Sequence, residues 1–117
     1  MGMTRAIGSA LDRQIQFQRA TQTPDGFGGF VWSWSDYGDL IPALRQDVRD
    51  RETMEAGVFR ERSLIRFQVR SSEFTRGITA DDRIEHEGQL WGIVGIKEPM
   101  AGQRRQLLEI TVEGPLL

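Results

Sequence analysis

The side chains able to do chemistry in this chain are few and poorly spaced for it. His86 is the single histidine, which excludes any site built on two imidazoles. Cysteine is absent, so disulfides, thiolate catalysis and Cys-based metal sites are excluded as well. His86-Glu87 opens like a metalloprotease motif, but Leu90 occupies the second ligand position. Asp81 with Asp82, and Glu85 with Glu87, are tight carboxylate groupings that could do acid/base work if burial drove their pKa values apart. Arg83 and His86 sit beside them and nothing suggests an apolar pocket. We therefore read a solvated turn, an exposed strand face, and His86 on the wet end of a strand. Gly26-Phe27-Gly28-Gly29 invites a dinucleotide fingerprint, yet Val31 stands where the third glycine belongs and a strand follows, not a helix. Asp25, Gly26, Gly28 and Gly29 instead read as a structural turn. No catalytic residue, cofactor site or metal site is expected, and we read the chain as a non-enzyme.

The elements around these residues alternate with period two. Ile15 and Phe17 face away from Gln14, Gln16 and Gln18. Ile65, Phe67 and Val69 oppose Arg66, Gln68 and Arg70, and Leu108, Ile110 and Val112 oppose Glu109, Thr111 and Glu113. Such alternation describes strands with one buried face. Phe30–Tyr37 and Gln89–Ile96, rich in Trp, Ile and Val, read as strands too. Glu87-Gly88 predicts a hairpin turn, and Pro99 with Gly102 separates the last two strands. Outside 49–62, helix signals are limited to single turns at Ser9–Asp12 and Thr79–Asp82. The expected core is Ile15, Phe17, Trp32, Ile65, Phe67, Val69, Ile93, Ile110 and Val112. Trp32, Trp34, Trp91, Phe17, Phe30 and Phe67 could alternatively form a stacking platform for single-stranded nucleic acid; in so small a domain the core reading is favoured.

Length and charge agree. The 117 residues suit one domain, and no apolar run approaches a membrane span. The opening residues carry no apolar signal core, so a soluble protein made in the cytoplasm is expected. Fifteen basic and seventeen acidic residues leave a net charge of −2, which supplies no field to attract phosphate. The stretch 49–62 is charged but nearly neutral: Arg49, Arg51, Arg60 and Arg62 alternate with Asp50, Glu52, Glu55 and Glu61. Asp50–Arg60 is the one longer helix candidate, but its mixed charge and Gly57 favour a mobile hairpin loop, whose charges are either solvated or paired between subunits.

The order of these features is informative. Gly8 to Leu11, Arg13, Ile15, Thr23 to Gly29 and Trp34 resemble the opening of the phage head–tail joining family, also called head-closure, stopper or head completion connector proteins. Ile65-Arg66-Phe67, Asp82-Arg83-Ile84, Gly88, Trp91-Gly92-Ile93, Glu98-Pro99 and Leu107-Leu108 resemble its later strands. The likeness runs from about Gly8 to Gly114. One departure is Ile41-Pro42-Ala43, where many relatives carry Trp-Ala; Pro42 lacks an amide donor and is expected at an edge or bulge.

The resemblance implies an all-β fold: a small antiparallel β-barrel of about six strands, with a long loop between the second and third. The chain would be one domain over residues 1–117, with 1–8 as a flexible arm and 49–62 as that loop. It implies a homo-oligomeric ring below the portal or adaptor of a tailed phage, prophage or gene transfer agent. The ring retains packaged DNA and docks tail-tube or tail-terminator proteins. DNA passes without sequence-specific binding, the loop (Arg49, Asp50, Arg51, Glu52, Glu55, Arg60, Glu61, Arg62) faces the channel, and no membrane takes part. The protein would reside in the virion after synthesis in the host cytoplasm. Alternatives from other classes are an OB- or SH3-like nucleic-acid-binding barrel, disfavoured by the net charge, and a small hydrolase or isomerase, disfavoured by the single His.

Overall fold

In a computed structural model, the period-two segments pair into one antiparallel sheet. The structure describes residues 11–55, 58–98 and 106–116, with backbone alone over 49–55 and 58–61. The strands are β1 (Arg13–Pro24), β2 (Phe30–Asp36), β3 (Ile41–Glu55), β4 (Val58–Arg70), β5 (Arg83–His86), β6 (Gln89–Lys97) and β7 (Leu107–Gly114), with one short helix, α1 (Glu73–Arg76). Their order is β2-β1-β3-β4-β7-β6-β5. A further pairing of β1 with β5, from Gln16↔Glu85 to Gln18↔Arg83, brings the sheet back on itself. The expected arm at 1–8, the first half of the turn expected at Ser9–Asp12 and the Pro99–Gly102 connection lie outside the described residues, and Leu11 and Asp12 are irregular.

Closure gives the alternating strands an inside. Ile15 and Phe17 of β1, Ile65, Phe67 and Val69 of β4, Ile84 of β5, Trp91 and Ile93 of β6, and Ile110 and Val112 of β7 form one buried cluster. Pro42 pairs with Gln14 near the start of β3, one residue before the β3–β4 ladder begins at Ala43↔Val69. There its missing amide costs no bond to β4. Two bulges interrupt the ladders, between Asp47 and Arg49 and between Ile93 and Gly95. They leave the extra residues, Val48 and Val94, exposed.

Three expectations are corrected. Trp32 is not core: it is 67 % exposed, because β2 pairs with the part of β1 that has run past the closed sheet and no layer among the described residues covers it. His86 is buried, not wet. It occupies the inward phase of β5 with Ile84, lies edge-on to Phe67 at 5.2 Å, and donates Nδ1–H to the Gln14 carbonyl at 3.0 Å. The loop expected at 49–62, between a second and a third strand, is strand instead. β3 and β4 pair down to Glu55↔Val58, so the segment is the far end of a long hairpin between the third and fourth strands.

The contrast between two aromatic residues is measurable. Phe67→Ala should cost about 3–5 kcal/mol, as expected for a fully buried phenyl ring. Trp32→Ala should cost under about 1 kcal/mol, as at ordinary surface positions. Urea unfolding midpoints of the two variants check this.

Candidate interaction surface

Where β1 leaves the closed sheet, it carries a cation in the phase of its core residues. Arg19 follows Ile15 and Phe17 and meets Asp82, just ahead of β5. Its Nε donates to Oδ1 at 2.8 Å and its Nη2 to Oδ2 at 2.9 Å, a bidentate pair. Nη2 also donates to the Gly77 carbonyl at 2.9 Å, and the guanidinium lies 3.9 Å over the Tyr37 ring. Asp82 is buried, contrary to the solvated turn expected, and accepts from the Thr79 amide at 2.9 Å. Burial pushes its carboxyl up, but the hydrogen bonds from Arg19 and Thr79 outweigh this and hold it below the usual carboxylate range. The same hydrogen bond raises Arg19 against its own desolvation.

Tyr37 is itself fixed. Its amide donates to the Phe17 carbonyl at 2.8 Å, and its ring stacks on Phe74 of α1 at 5.1 Å. Gly38, at φ +74°, lets the chain turn here, and a Cβ would overlap the Phe74 ring. Ser72 and Thr75 cap α1 reciprocally, Ser72 Oγ accepting from the Thr75 amide and Thr75 Oγ1 from the Ser72 amide.

Two hairpins project from this frame. In the first, β2 pairs with β1 from Gln18↔Asp36 to Pro24↔Phe30, and all seven β2 residues are exposed. Phe30, Trp32 and Trp34 share one face. No charged residue lies within Ala20–Pro24 or Phe30–Ser35. The turn is held by Asp25, whose Oδ1 accepts from the Phe27 amide at 2.7 Å and the Gly29 amide at 3.0 Å. Gly26 and Gly28 take φ near +85° there, and Phe27 stands 94 % exposed at the tip. A neutral aromatic ribbon open to water marks a contact surface. Between Trp32 and the turn before β5 lies a cleft of about 590 Å³, floored by Ala20 and the Arg19–Asp82 pair.

The second hairpin is the end of β3–β4. β4 parts from β7 at Ser63↔Gly114, and five further pairs, Arg51↔Arg62 to Glu55↔Val58, extend beyond it. That is about 17 Å of two-stranded ribbon. Arg51, Glu52, Glu55, Arg60, Glu61 and Arg62 lie here, and Arg49 and Asp50 pair just before it with Leu64 and Ser63. The side chains of 49–61 are outside the described residues; Arg62 Nε lies 3.8 Å from Glu113 Oε1.

A family model described as phage head completion protein matches residues 8–114. The chain belongs to the phage head completion protein family. Its fold is also that of a chain in the structure titled "Virion of native gene transfer agent (GTA) particle". The two superpose with a TM-score of 0.73 at 17 % identity, over 90 % of this chain and 94 % of that one. Comparison with curated protein sequences gives no match. In this head completion protein, candidate function therefore lies in surfaces. Sequence reasoning missed Arg19 and Tyr37, and it read Asp81 and Asp82 together as a solvated turn, which holds for exposed Asp81 and not for buried Asp82. One signal was available: a charge in the apolar phase of β1 needs a buried partner.

Removing that partner has a defined cost. Asp82→Asn should destabilise the fold by about 2 kcal/mol. This is below the 3–5 kcal/mol of a fully buried pair, because the Arg19 side chain is 34 % exposed. Because folding lowers the Asp82 pKa, its contribution is complete above about pH 4 and is lost as pH falls through the folded value. Thermal melts between neutral and acid pH should fall less steeply for the variant.

Proposed function

We propose that this head completion protein is a structural connector of a phage-like virion, not a catalyst. Copies form a homo-oligomeric ring beneath the portal or adaptor, retain the packaged DNA and give the tail a docking platform. In this reading the chain is one domain whose closed sheet is a small barrel. The β3–β4 ribbon lines the channel, and the aromatic β1–β2 ribbon meets neighbouring proteins. Tail-tube or tail-terminator proteins are the partners on the far side. DNA passes through without sequence-specific contact.

The observation that carries this reading, beyond family membership, is the register of the β3–β4 ribbon. Like charges stand opposite one another, Arg51 to Arg62 and Glu52 to Glu61. Strand alternation then assigns Arg49, Arg51, Arg60 and Arg62 to one face with Glu55, and Asp50, Glu52 and Glu61 to the other. A ribbon with one basic and one acidic face does not complement itself about a two-fold axis. It does complement the next copy head to tail, and a head-to-tail contact with the right rotation closes into a ring. A nucleic-acid-binding barrel has less support. The exposed aromatics would suit base stacking, but Ala20–Pro24 and Phe30–Ser35 hold no cation to follow phosphates, and Arg19 and Arg83 at the ribbon's base are already engaged with Asp82 and Trp34.

The faces can be tested by exchange in assembling particles. One variant, Glu52→Arg with Glu61→Arg, makes both faces basic; another, Arg51→Glu with Arg60→Glu, makes both acidic. Each alone should give heads that package DNA but leak it and join tails poorly. Co-expressed, alternating copies restore complementary contacts, and nuclease-protected DNA should recover. Full infectivity of either variant alone, or a mixture no better than its parts, would overturn the proposal.

A further inference from the structure

We propose that the cleft beside Trp32 is a seat for an arginine side chain presented by a protein that docks on the β1–β2 ribbon. The proposal deepens the docking part of the function above by naming the chemistry of the contact. Three aromatic rings follow one another along β2 and its exit: Trp32, Trp34 and Tyr37. Two already carry a guanidinium from this chain. Arg83 lies 4.2 Å over Trp34, and Arg19 lies 3.9 Å over Tyr37. Trp32 has the same facing as Trp34, is largely exposed, and has no cation over it among the described residues.

The opposite wall supplies the counter-charge. Asp82 is neutralised by its bidentate contact with Arg19. Asp81 is exposed, and although its amide donates to Thr79 Oγ1 at 3.3 Å, its carboxylate makes no hydrogen bond or ion pair among the described residues. The cleft thus pairs an open indole with an uncompensated carboxylate, over a floor kept low by Ala20. A cation between an aromatic face and a carboxylate satisfies both. Guanidinium is favoured over ammonium because it is planar, stacks on indole and offers two parallel donors to one carboxylate. Phosphate is disfavoured, since Arg19 is already engaged and Asp81 repels an anion.

The test uses the full chain with ¹⁵N-labelled tryptophan, titrated with N-acetyl-arginine amide, N-acetyl-lysine amide and the neutral isostere N-acetyl-citrulline amide. The Trp32 indole resonance, assigned through Trp32→Phe, should shift saturably with the arginine compound, severalfold less tightly with lysine and negligibly with citrulline. Asp81→Asn should weaken the arginine response severalfold and leave the melting temperature unchanged. An unmoved Trp32 resonance, equal responses to arginine and citrulline, or no effect of Asp81→Asn would overturn the proposal. None of these results bears on whether particles retain DNA, so the ring reading stands or falls separately.

Discussion

The bidentate contact between Arg19 and Asp82 is the point on which the two parts of this molecule turn. Below it, β1 is a core strand, paired with β3 and β5 and contributing Ile15 and Phe17 to the interior. Above it, β1 is half of a free ribbon. A strand that continues past the end of a closed sheet meets an abrupt loss of neighbours, and its next inward-phase residue faces the rim. An apolar side chain there would be half wet. An arginine whose guanidinium stacks on Tyr37 and bonds Asp82 and the Gly77 carbonyl instead ties the segment before β5 to β1. That tie adds to the β1–β5 ladder from Gln16↔Glu85 to Gln18↔Arg83, which closes the sheet.

What could be read from the sequence follows from what alternation encodes. Period two states that a strand has two unlike faces, which is why the apolar sets of β1, β4 and β7 were legible as core. It does not state that anything covers the apolar face. Phe30, Trp32 and Trp34 obey the same rule as Ile65, Phe67 and Val69, yet only the latter have β-strands folded over them. His86 escaped for the complementary reason. Its inward position became acceptable only once β1 brought the Gln14 carbonyl to its Nδ1. The long 49–62 segment read as a loop because its charge suggested solvent, whereas a two-stranded ribbon can be wet on both faces and still keep its ladder.

The two projecting hairpins offer different chemistry. Beyond Arg19 and Asp36 the β1–β2 strands are uncharged and aromatic, and the β3–β4 ribbon is charged with few apolar residues. A contact buried on the first would respond weakly to salt. A contact made through the charges of the second would be screened over about a nanometre at physiological ionic strength. Both leave the same closed sheet, whose interior carries none of this chemistry, so either ribbon can diverge without disturbing the core.

The bulge at Val48 decides how the charges of the second ribbon are sorted. The β3–β4 pairing steps from Asp47↔Ile65 to Arg49↔Leu64, skipping one residue. Without that skip the ladder would continue as Asp50 opposite Arg62, Arg51 opposite Glu61 and Glu52 opposite Arg60. Each of those would be an attractive cross-strand pair, and the ribbon would quench its own charge. One inserted valine replaces that self-neutralising register by one in which Arg51 stands opposite Arg62 and Glu52 opposite Glu61. The information for that register lies in a residue count, and no side chain within the ribbon encodes it.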